Sequence, residues 1–250
     1  MNKVALVTGG LSGIGKGTVF ELAKRGYQIV IFDISDDKAE DVINQAMQNG
    51  AKDCVYKHTN LFSSEEIAES FDFIEEHFGK LDCAFNNAGF GILNKPFGDV
   101  TEDEMDKLWG IDVKAYMLCM KHEIKMMQEN GFGRIVNNAS GAGLVSVKGG
   151  ALYAAVKHAV VGVTKGAALD YATTNITINA IAPGTIATEL IMQYKDKPFF
   201  KDWLKSNPAG RLGKPSEIGR VVAFLFEKDS SFINGVILPV DSGYCAGNFK

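Results

Sequence analysis

The regular alternation of short apolar runs with helix-like stretches is the feature of this sequence that most constrains its fold. The apolar runs lie near residues 3–8, 28–33, 53–58, 81–86, 132–138, 176–182 and 235–240, and the helix-like stretches lie near 13–26, 37–50, 64–79, 101–129, 151–173 and 215–228. Strands that alternate with helices form a parallel sheet with helices on both faces. We therefore predict an α/β fold built on a doubly wound parallel sheet, with one strand for each run.

The bulk properties limit the domain count and the partners. A chain of 250 residues with 46% apolar content can bury one large core, and no linker, repeat or charge block divides it. We predict a single domain over residues 1–250. The net charge is −4 with scattered Lys and Arg, which indicates no nucleic-acid partner. The first strand begins within three residues of the N-terminus and no apolar run approaches the ~20 residues of a membrane span, so we expect a cytoplasmic protein without a membrane partner.

The potential metal ligands are scattered. The four cysteines and four histidines show neither C-x-x-C nor H-E-x-x-H spacing. Zinc sites and metalloprotease motifs bring such ligands together at short, regular intervals. We therefore predict no metal site.

A glycine-rich segment, Gly9-Gly-Leu-Ser-Gly-Ile-Gly15, joins the first predicted strand to the first predicted helix. Glycines let the backbone approach a pyrophosphate closely, and a helix N-terminus supplies free N–H groups and a positive dipole end. The second apolar run ends at Asp33, eighteen residues after Gly15, near the place where an acidic residue would accept from ribose hydroxyls. The segment predicts a dinucleotide site. A glycine turn without ligand, with Asp33 as a loop residue, is the alternative.

Tyr153 and Lys157 are the strongest candidates for chemistry. Four residues span about one helical turn, so on a helix the phenol and the ammonium share a face. At ~4 Å and an effective dielectric of ~20, Coulomb's law gives roughly 4 kcal/mol at most in favour of the phenolate. Tyr153 is therefore a candidate acid/base, although an isolated Y-x-x-x-K pair is also common on solvated helix surfaces.

These motifs together resemble the short-chain dehydrogenase/reductase family, in its subtype with T-G-x-x-x-G-x-G and Y-x-x-x-K motifs. The resemblance runs almost end to end. It rests on Thr8 to Gly15, Asn86-Asn-Ala-Gly89, Ser140 thirteen residues before Tyr153, Tyr153 to Lys157, Asn179, and Pro183-Gly-Thr-Ile-Ala-Thr188. It implies a Rossmann-like fold and an enzyme that transfers a hydride between a nicotinamide and a secondary alcohol or ketone.

The resemblance also implies the roles of the catalytic residues. Hydride transfer at a carbinol carbon leaves an oxygen whose proton must be taken up, so the site needs an acid/base and an orienting donor. Tyr153 would be the acid/base, and Lys157 would favour its phenolate and reach the nicotinamide ribose. Ser140 would hold the substrate oxygen against the Tyr153 hydroxyl.

The cofactor-binding residues implied by the resemblance follow several predicted strands. They are Gly9, Ser12, Gly13, Ile14, Gly15, Asp33, Asn60, Leu61, Asn87, Ala88, Gly89, Tyr153, Lys157, Pro183, Gly184, Ile186 and Thr188. The main chain of Pro183 and Gly184 would face the nicotinamide, and Thr188 would bind its carboxamide. Asn60 stands where the family usually carries Asp, and its carbonyl can still accept from the adenine amine.

Asp112 departs from the family pattern. The family usually carries Asn twenty-one residues before the glycine that is Gly133 here. That Asn is thought to hold a helix kink and a water beside the lysine, which completes a proton relay. An ionised Asp accepts hydrogen bonds but cannot donate them. Asp112 is therefore either a catalytic residue or a residue that only binds helix backbone, and a regulatory NAD(H)-binding protein without turnover stays open as a second function.

The residues after Asp33 favour NAD as the cofactor. Asp36 and Asp37 follow it closely, and Ser12 stands where relatives that prefer NADP often carry Arg or Lys. A 2′-phosphate would meet carboxylates there, a like-charge arrangement that costs affinity. An NADP-dependent ketone reductase of the same family is the alternative.

The stretch 188–204 is rich in large apolar side chains and falls where the family has a mobile lid. Leu190, Ile191, Met192, Phe199 and Trp203 offer apolar area and few donors, which favours an apolar or cyclic alcohol or ketone as the small-molecule substrate. The same stretch could instead cover a subunit interface. Small residues along 151–173 permit close helix approach, and the resemblance implies a homo-oligomer, a dimer or a homotetramer.

Overall fold

A computed structural model describes residues 3–92, 95–146, 148–197, 200–205 and 207–247, with Asp202 and Trp203 described only in their backbone. Its centre is one seven-stranded sheet in the order β3-β2-β1-β4-β5-β6-β7, in which every neighbouring pair is parallel. The strands are β1 Val4–Thr8, β2 Gln28–Asp33, β3 Asp53–His58, β4 Cys83–Asn86, β5 Gly133–Asn138, β6 Ile176–Pro183 and β7 Ile237–Val240. Each predicted apolar run coincides with one of these strands, with β6 extending one residue past its run, which confirms the predicted fold class.

Helices cover both faces of the sheet. They are α1 Gly13–Ala23, α2 Asp36–Gln48, α3 Ser64–Phe78, α4 Glu102–Trp109, α5 Ala115–Asn130, α6 Ala151–Asp170, α7 Glu189–Met192, α8 Phe200–Lys205 and α9 Pro215–Leu225. The sequence predicts one helix over 101–129, whereas the structure interrupts it with a π-helical turn, Gly110–Lys114. The two short helices α7 and α8, between residues 189 and 205, are not among the predicted helices.

The central strands are buried on both sides, as parallel strands require. In β1, Ala5 and Val7 pack with side chains of α1, α2 and α9, whereas Val4 and Leu6 pack with side chains of α3 and α5. The chain winds from β1 outward to β3 and then returns to β4 on the other side of β1. Ligands of such sheets bind at the carboxyl ends of the strands where the winding reverses. The topology therefore directs the search for a site to the ends of β1 and β4.

Helix α1, which follows the glycine turn, is held closely against α9. A Cβ added to Gly219 of α9 would lie 2.8 Å from the carbonyl oxygen of Gly17 and 2.9 Å from Cα of Thr18, both in α1. Real Cβ atoms do not approach backbone this closely, so the two helix backbones can meet only because these positions are glycine. The contact fixes α1, and with it the amide groups at its N-terminus.

Gly219→Ala should therefore destabilise the protein by about 1–3 kcal/mol, because an added methyl in close packing costs this much. Alanine is the better helix former by about 1 kcal/mol, so helix propensity alone predicts that Gly219→Ala stabilises the protein. Gly166→Ala in α6 is the matched control, since no atom lies within 4 Å of its added Cβ in the structure. Urea unfolding measures the free energy of unfolding of both variants. Equal or greater stability of Gly219→Ala would contradict the packing argument.

Candidate active site

One large cavity opens at the carboxyl ends of the strands, with a volume of about 1090 Å³. Its walls come from the segments after all seven strands, from the π-helical turn and from the start of α6. All the site residues predicted from the sequence line this cavity except Gly15. Gly15 lies in the first turn of α1, where a Cβ would overlap the carbonyl of Gly9. Its role is to close the turn rather than to line the site.

The glycine turn presents backbone amide groups to the cavity. Gly9 and Gly13 have φ angles of 64° and 49°, in the left-handed region that favours glycine. Ser12 precedes α1, and its side chain makes no capping hydrogen bond. The Gly13 amide instead donates to Oε2 of Glu189 at 2.9 Å. This N–H group therefore donates to a carboxylate of the protein itself, as expected of a helix N-terminus.

Glu189 is a residue of this site that the sequence did not predict. It is the first residue of α7 and directly follows Thr188. A Cβ on Gly13 would lie 3.0 Å from Cγ2 of Thr188, so α7 begins close above the glycine turn. No spacing rule points to Glu189, because its contact depends on how α7 folds back toward α1.

The end of β2 forms an acidic corner of the cavity. The Asp33 carboxylate accepts from the backbone N–H groups of Leu11, Ile34 and Ser35 at 3.0, 2.7 and 3.2 Å. Nearby, hydrogen bonding to Tyr56 and His58 lowers the pKa of Asp36 below its ordinary value, so a second carboxylate is ionised here.

Lys38 also lines this end of the cavity, and its charge offsets part of that negative potential. Lys16, the other cation near the turn, lies 3.7 Å from Asp41.

Lys157 is buried at the centre of the site. Its Nζ lies 2.7 Å from Oδ1 of Asp112 and donates to the carbonyl oxygen of Asn138 at 2.9 Å. The side chains of Lys157 and Asp112 are 5% and 1% exposed. Burial alone would lower the pKa of Lys157, but the neighbouring Tyr116, Tyr153 and Asp112 outweigh it and hold that pKa above its ordinary value. Lys157 is therefore a permanent ammonium in contact with a carboxyl group.

The π-helical turn and Gly89 together make room for Asp112. Asp112 is the middle residue of the π turn and is completely buried. Burial raises the pKa of its carboxyl group, and Lys157 partly offsets the effect. A Cβ on Gly89 would overlap Oδ1 of Asp112. Gly89, which ends the N-N-A-G motif, thus leaves the space that the Asp112 carboxylate occupies.

Tyr153 and Ser140 face the cavity beside Lys157. Tyr153 is in the first turn of α6 and is half-buried, and its ring centroid lies 5.7 Å from Nζ of Lys157. The ring of Tyr116 lies 5.5 Å from the same nitrogen. Ser140 accepts from the Ala142 N–H at 3.1 Å, which leaves its hydroxyl hydrogen able to donate into the cavity.

Side-chain amides link the glycine turn to Lys157. Nδ2 of Asn87 donates to the carbonyls of Thr8 and Gly9 at 3.0 and 3.2 Å. Oδ1 of Asn87 accepts from Nδ2 of Asn138 at 2.9 Å, and the carbonyl of Asn138 binds Lys157. The sequence predicts Asn87 as a site residue but not Asn138, because a backbone carbonyl leaves no signature in residue types.

The apolar side of the cavity includes Leu190 and Ile191 together with Phe90. Met192 is 38% exposed and is not part of the lining, because α7 turns it away from the cavity. The expectations for Phe199 and for the side chain of Trp203 lie outside the described residues.

Among the residues that the structure describes, no three His, Cys, Asp or Glu side chains are grouped as metal ligands would be. None of the described helices has both the length and the apolar character that crossing a bilayer requires.

Comparisons with known proteins show which proteins this chain resembles. A family model described as enoyl-(acyl carrier protein) reductase matches residues 9–245. Cyclohexanol dehydrogenase of Acinetobacter sp. (strain SE19) is 38% identical over 97% of this chain and 95% of its own length. Levodione reductase of Leifsonia aquatica is 34% identical over 98% of this chain and 95% of its own length.

Solved structures are similar over the whole fold. The crystal structure of levodione reductase has a TM-score of 0.93 at 32% identity and 98% coverage of both chains. ElxO with NADP bound has a TM-score of 0.92 at 31% identity, covering 99% of this chain and 100% of that one. A 3-ketoacyl-(acyl-carrier-protein) reductase from Brucella melitensis in complex with NADH has a TM-score of 0.89 at 31% identity, covering 97% and 98%.

Proposed function

Because the chain belongs to the short-chain dehydrogenase/reductase family, we propose that it transfers a hydride between NAD and a secondary alcohol or its ketone, with Tyr153 as acid/base. Its relatives are dehydrogenases and reductases of alcohols and ketones, and the chain is an oxidoreductase of this class. The observation that carries the finer proposal is the single cavity lined by Tyr153, Ser140 and Lys157 as well as the glycine turn.

The residues at the glycine turn fit a dinucleotide. Gly9 and Gly13 hold the turn open, and a Cβ at Gly9 would lie 3.0 Å from Cα of Ala88. The Gly13 amide already binds a carboxylate oxygen of Glu189, so its chemistry suits a phosphate oxygen. We assign Ser12, Gly13 and Ile14 to the pyrophosphate. By the family pattern, we assign ten further lining residues to the adenosine and nicotinamide ends of the cofactor. They are Asp33, Asn60, Leu61, Asn87, Ala88, Gly89, Pro183, Gly184, Ile186 and Thr188.

The protein's own side chains handle the proton. A bound nicotinamide supplies the acceptor or donor of the hydride. In alcohol oxidation the Tyr153 phenolate removes the proton from the substrate hydroxyl, and in reduction the Tyr153 hydroxyl returns it to the carbonyl oxygen. Ser140 donates to the same oxygen and holds it in reach. The buried ammonium of Lys157 stabilises the phenolate by its charge.

Asp112 modifies the electrostatics of this arrangement. Its carboxylate is 2.7 Å from the Lys157 ammonium, so part of the positive field that would favour the Tyr153 phenolate is cancelled. The pair also gives the buried Lys157 ammonium a counter-charge. Removing one partner of a buried pair typically costs about 3–5 kcal/mol. We assign Asp112 as the residue that holds Lys157 in place and sets the pH range of oxidation.

The acidic corner supports NAD over NADP. Similar proteins hold NADP or NADH, so the choice depends on this chain's own residues. A 2′-phosphate near Asp33 would meet two carboxylates, Asp33 and Asp36, against one flexible cation, Lys38. Like charges at short range disfavour that ligand.

The substrate we infer is a compact ring alcohol or ketone. Phe90, Leu190 and Ile191 line the cavity and add apolar surface to it, which suits a hydrocarbon ring. Cyclohexanol dehydrogenase, which is 38% identical, is named for a six-membered-ring substrate. Several cavity residues, among them Gln193 and Tyr244, can hydrogen-bond a second ring substituent.

We further propose that the chain assembles as a homo-oligomer. Helix α6 exposes a stripe of small residues, Ala151, Ala155, Gly162 and Gly166, and Trp109 and Met117 near the π turn are 52% and 48% exposed. Exposed small and apolar positions on neighbouring helices permit close packing between copies.

Tyr153→Phe should abolish turnover and leave NADH binding nearly intact, because the hydroxyl carries the proton while the ring only packs. Turnover is measured by NADH formation from a panel of cyclohexanols, hydroxyketones and sugars, and binding by NADH fluorescence. Tyr171→Phe, the same change at a tyrosine at the far end of α6 and outside the cavity lining, is the matched control and should retain turnover. Substantial activity in Tyr153→Phe would remove Tyr153 as the acid/base.

The same experiment separates the second candidate function. A regulatory NAD(H)-binding protein would bind NADH and oxidise none of the panel in its unmutated form. Turnover by the unmutated chain therefore excludes this alternative.

The unmutated protein should favour NAD over NADP by at least ~10-fold in kcat/KM, a difference of about 1.4 kcal/mol. Asp33→Asn should narrow this ratio mainly by improving use of NADP, because it removes charge repulsion. Asp103→Asn, on the exposed surface of α4, is the matched control and should leave the ratio unchanged. Equal use of both cofactors by the unmutated protein would show that the acidic corner does not face the ribose.

Asp112→Asn should shift the acid limb of the pH–rate profile for alcohol oxidation to lower pH. Removing the carboxylate leaves the full Lys157 charge to stabilise the phenolate, so the active form persists at lower pH. Asp112→Ala should instead lose activity and stability, because the buried ammonium then keeps the Asn138 carbonyl but has no polar side chain at position 112 beside it. Initial rates from pH 6 to 10 and thermal unfolding test both variants. Superimposable profiles for the unmutated protein and Asp112→Asn would show that Asp112 is only structural.

A further inference from the structure

A carboxyl group lies buried in α5, outside the cavity described above. Glu123 is completely buried, and its Oε2 accepts a hydrogen bond from Nδ2 of Asn86 at 3.1 Å. Within the described parts of the chain, no cation pairs with it. A buried carboxylate without a cation is costly, so the protonation state of this group needs an explanation.

The surrounding hydrogen bonds fix which way the Asn86 amide faces. The Thr164 hydroxyl donates to the carbonyl of Val160 at 2.7 Å, so it accepts from Nδ2 of Asn137 at 2.9 Å. Oδ1 of Asn137 therefore points to Asn86 and accepts from its Nδ2 at 3.0 Å. Both hydrogens of the Asn86 amide nitrogen are thus used, one on Asn137 and one on Glu123.

Two buried oxygens then remain without a donor. They are Oδ1 of Asn86 and Oε1 of Glu123, the other oxygens of the two groups that already share one hydrogen bond. If Glu123 is ionised, both acceptors stay unsatisfied and a charge is buried as well. If Glu123 is protonated, its Oε1–H can donate to Oδ1 of Asn86. One proton then satisfies both oxygens and closes an acid–amide pair with two hydrogen bonds.

We propose that Glu123 is held as a neutral carboxylic acid, paired with Asn86, and that this pair positions the turn that begins at Asn87. Asn86 is the last residue of β4, and the next backbone N–H, that of Asn87, donates to Oγ1 of Thr8 at 2.8 Å. Asn87 also carries the amide link to Asn138 and Lys157. Glu123 is thus a positioning residue for both the glycine turn and the ammonium, a consequence that rests on the proposed function.

The groups around Glu123 supply no positive charge that would favour its ionised form. On α5, burial holds the pKa of the Cys119 thiol well above its ordinary value, so it stays neutral. Asn86 on β4, Asn137 on β5 and Thr164 on α6 carry no charge. Burial raises the pKa of Glu123 from 4.5 to about 8, and the Asn86 hydrogen bond offsets only part of the shift.

The sign of the pH dependence follows from this raised pKa. Between about 4.5 and about 8, Glu123 is ionised in the unfolded chain and protonated in the folded one. Folding then binds a proton, so stability falls as pH rises through this window. The stabilisation from the neutral Glu123 is complete below this pH window and is lost once Glu123 ionises in the folded protein.

Glu123→Gln is the test, because glutamine has the same shape, donates to Oδ1 of Asn86 and accepts from its Nδ2, and does not titrate. Thermal unfolding is measured from pH 5 to 9 for both proteins. We expect Tm of the unmutated protein to fall relative to Glu123→Gln across this range. Glu129→Gln, at an exposed position of the same helix, is the matched control and should track the unmutated protein. Parallel curves for Glu123→Gln and the unmutated protein would overturn the proposal.

An infrared measurement keeps the proposal testable even where a variant folds poorly. The unmutated protein at pH 7 should show the carbonyl stretch of a protonated carboxylic acid, and Glu123→Gln should lack it. The absence of that band in the unmutated protein would overturn the assignment. Glu123→Leu should lower Tm relative to Glu123→Gln at every pH, since it removes the donor and the acceptor together.

The positioning role has its own readout. The affinity for NADH, measured by fluorescence, should weaken several-fold in the unmutated protein between pH 7 and 9.5 and stay level in Glu123→Gln. If the infrared band is present and this affinity difference is not, the neutral pair stands and its positioning role is overturned. If neither protein binds NADH, the proposed function fails while the infrared and unfolding results still decide the state of Glu123.

Discussion

The buried ammonium of Lys157 is the group on which the arrangement of the site depends. It is almost removed from solvent, so its charge must be compensated from within the protein. Asp112 supplies the counter-charge, and the Asn138 carbonyl supplies an acceptor. Three separate parts of the chain, the π turn, the end of β5 and α6, meet at this one nitrogen.

This constraint explains several residue choices together. The carboxylate of Asp112 requires a glycine at position 89, because any Cβ there would overlap it. Gly89 ends the motif whose first two residues, Asn86 and Asn87, join the strands on either side. Binding chemistry and packing are therefore carried by the same short segment. A change in either the carboxylate or the glycine alters both.

Sequence reasoning recovers the fold and places all but one of its predicted site residues at the cavity, and what it misses has a common physical cause. The strands follow from β-branched apolar runs, and the site follows from motifs placed at the ends of those strands. The Asn138 carbonyl and the Glu189 contact escape because they are backbone or tertiary features with no residue-type signature. A helix kink at Asp112 is expected only from the family resemblance, and residue types do not predict that it takes the form of a π turn. Glu123 escapes because a lone Glu in a helix usually faces solvent, and only the packing around Asn86 shows that this one does not.

The π turn at Gly110–Lys114 has a consequence for how this enzyme can tolerate changes in chain length. A π turn holds one residue more than an α-helical turn, and each residue of an α-helix rotates the next by about 100°. Deleting one residue here would close the turn to α-helical spacing and keep Leu108 and Tyr116, both buried, on the core side. A deletion in the regular part of α4 or α5 has no such turn to absorb it and would rotate one side of the helix by that angle. Within the π turn, the cost of a deletion falls instead on Asp112, the middle residue of the turn and the counter-ion of Lys157.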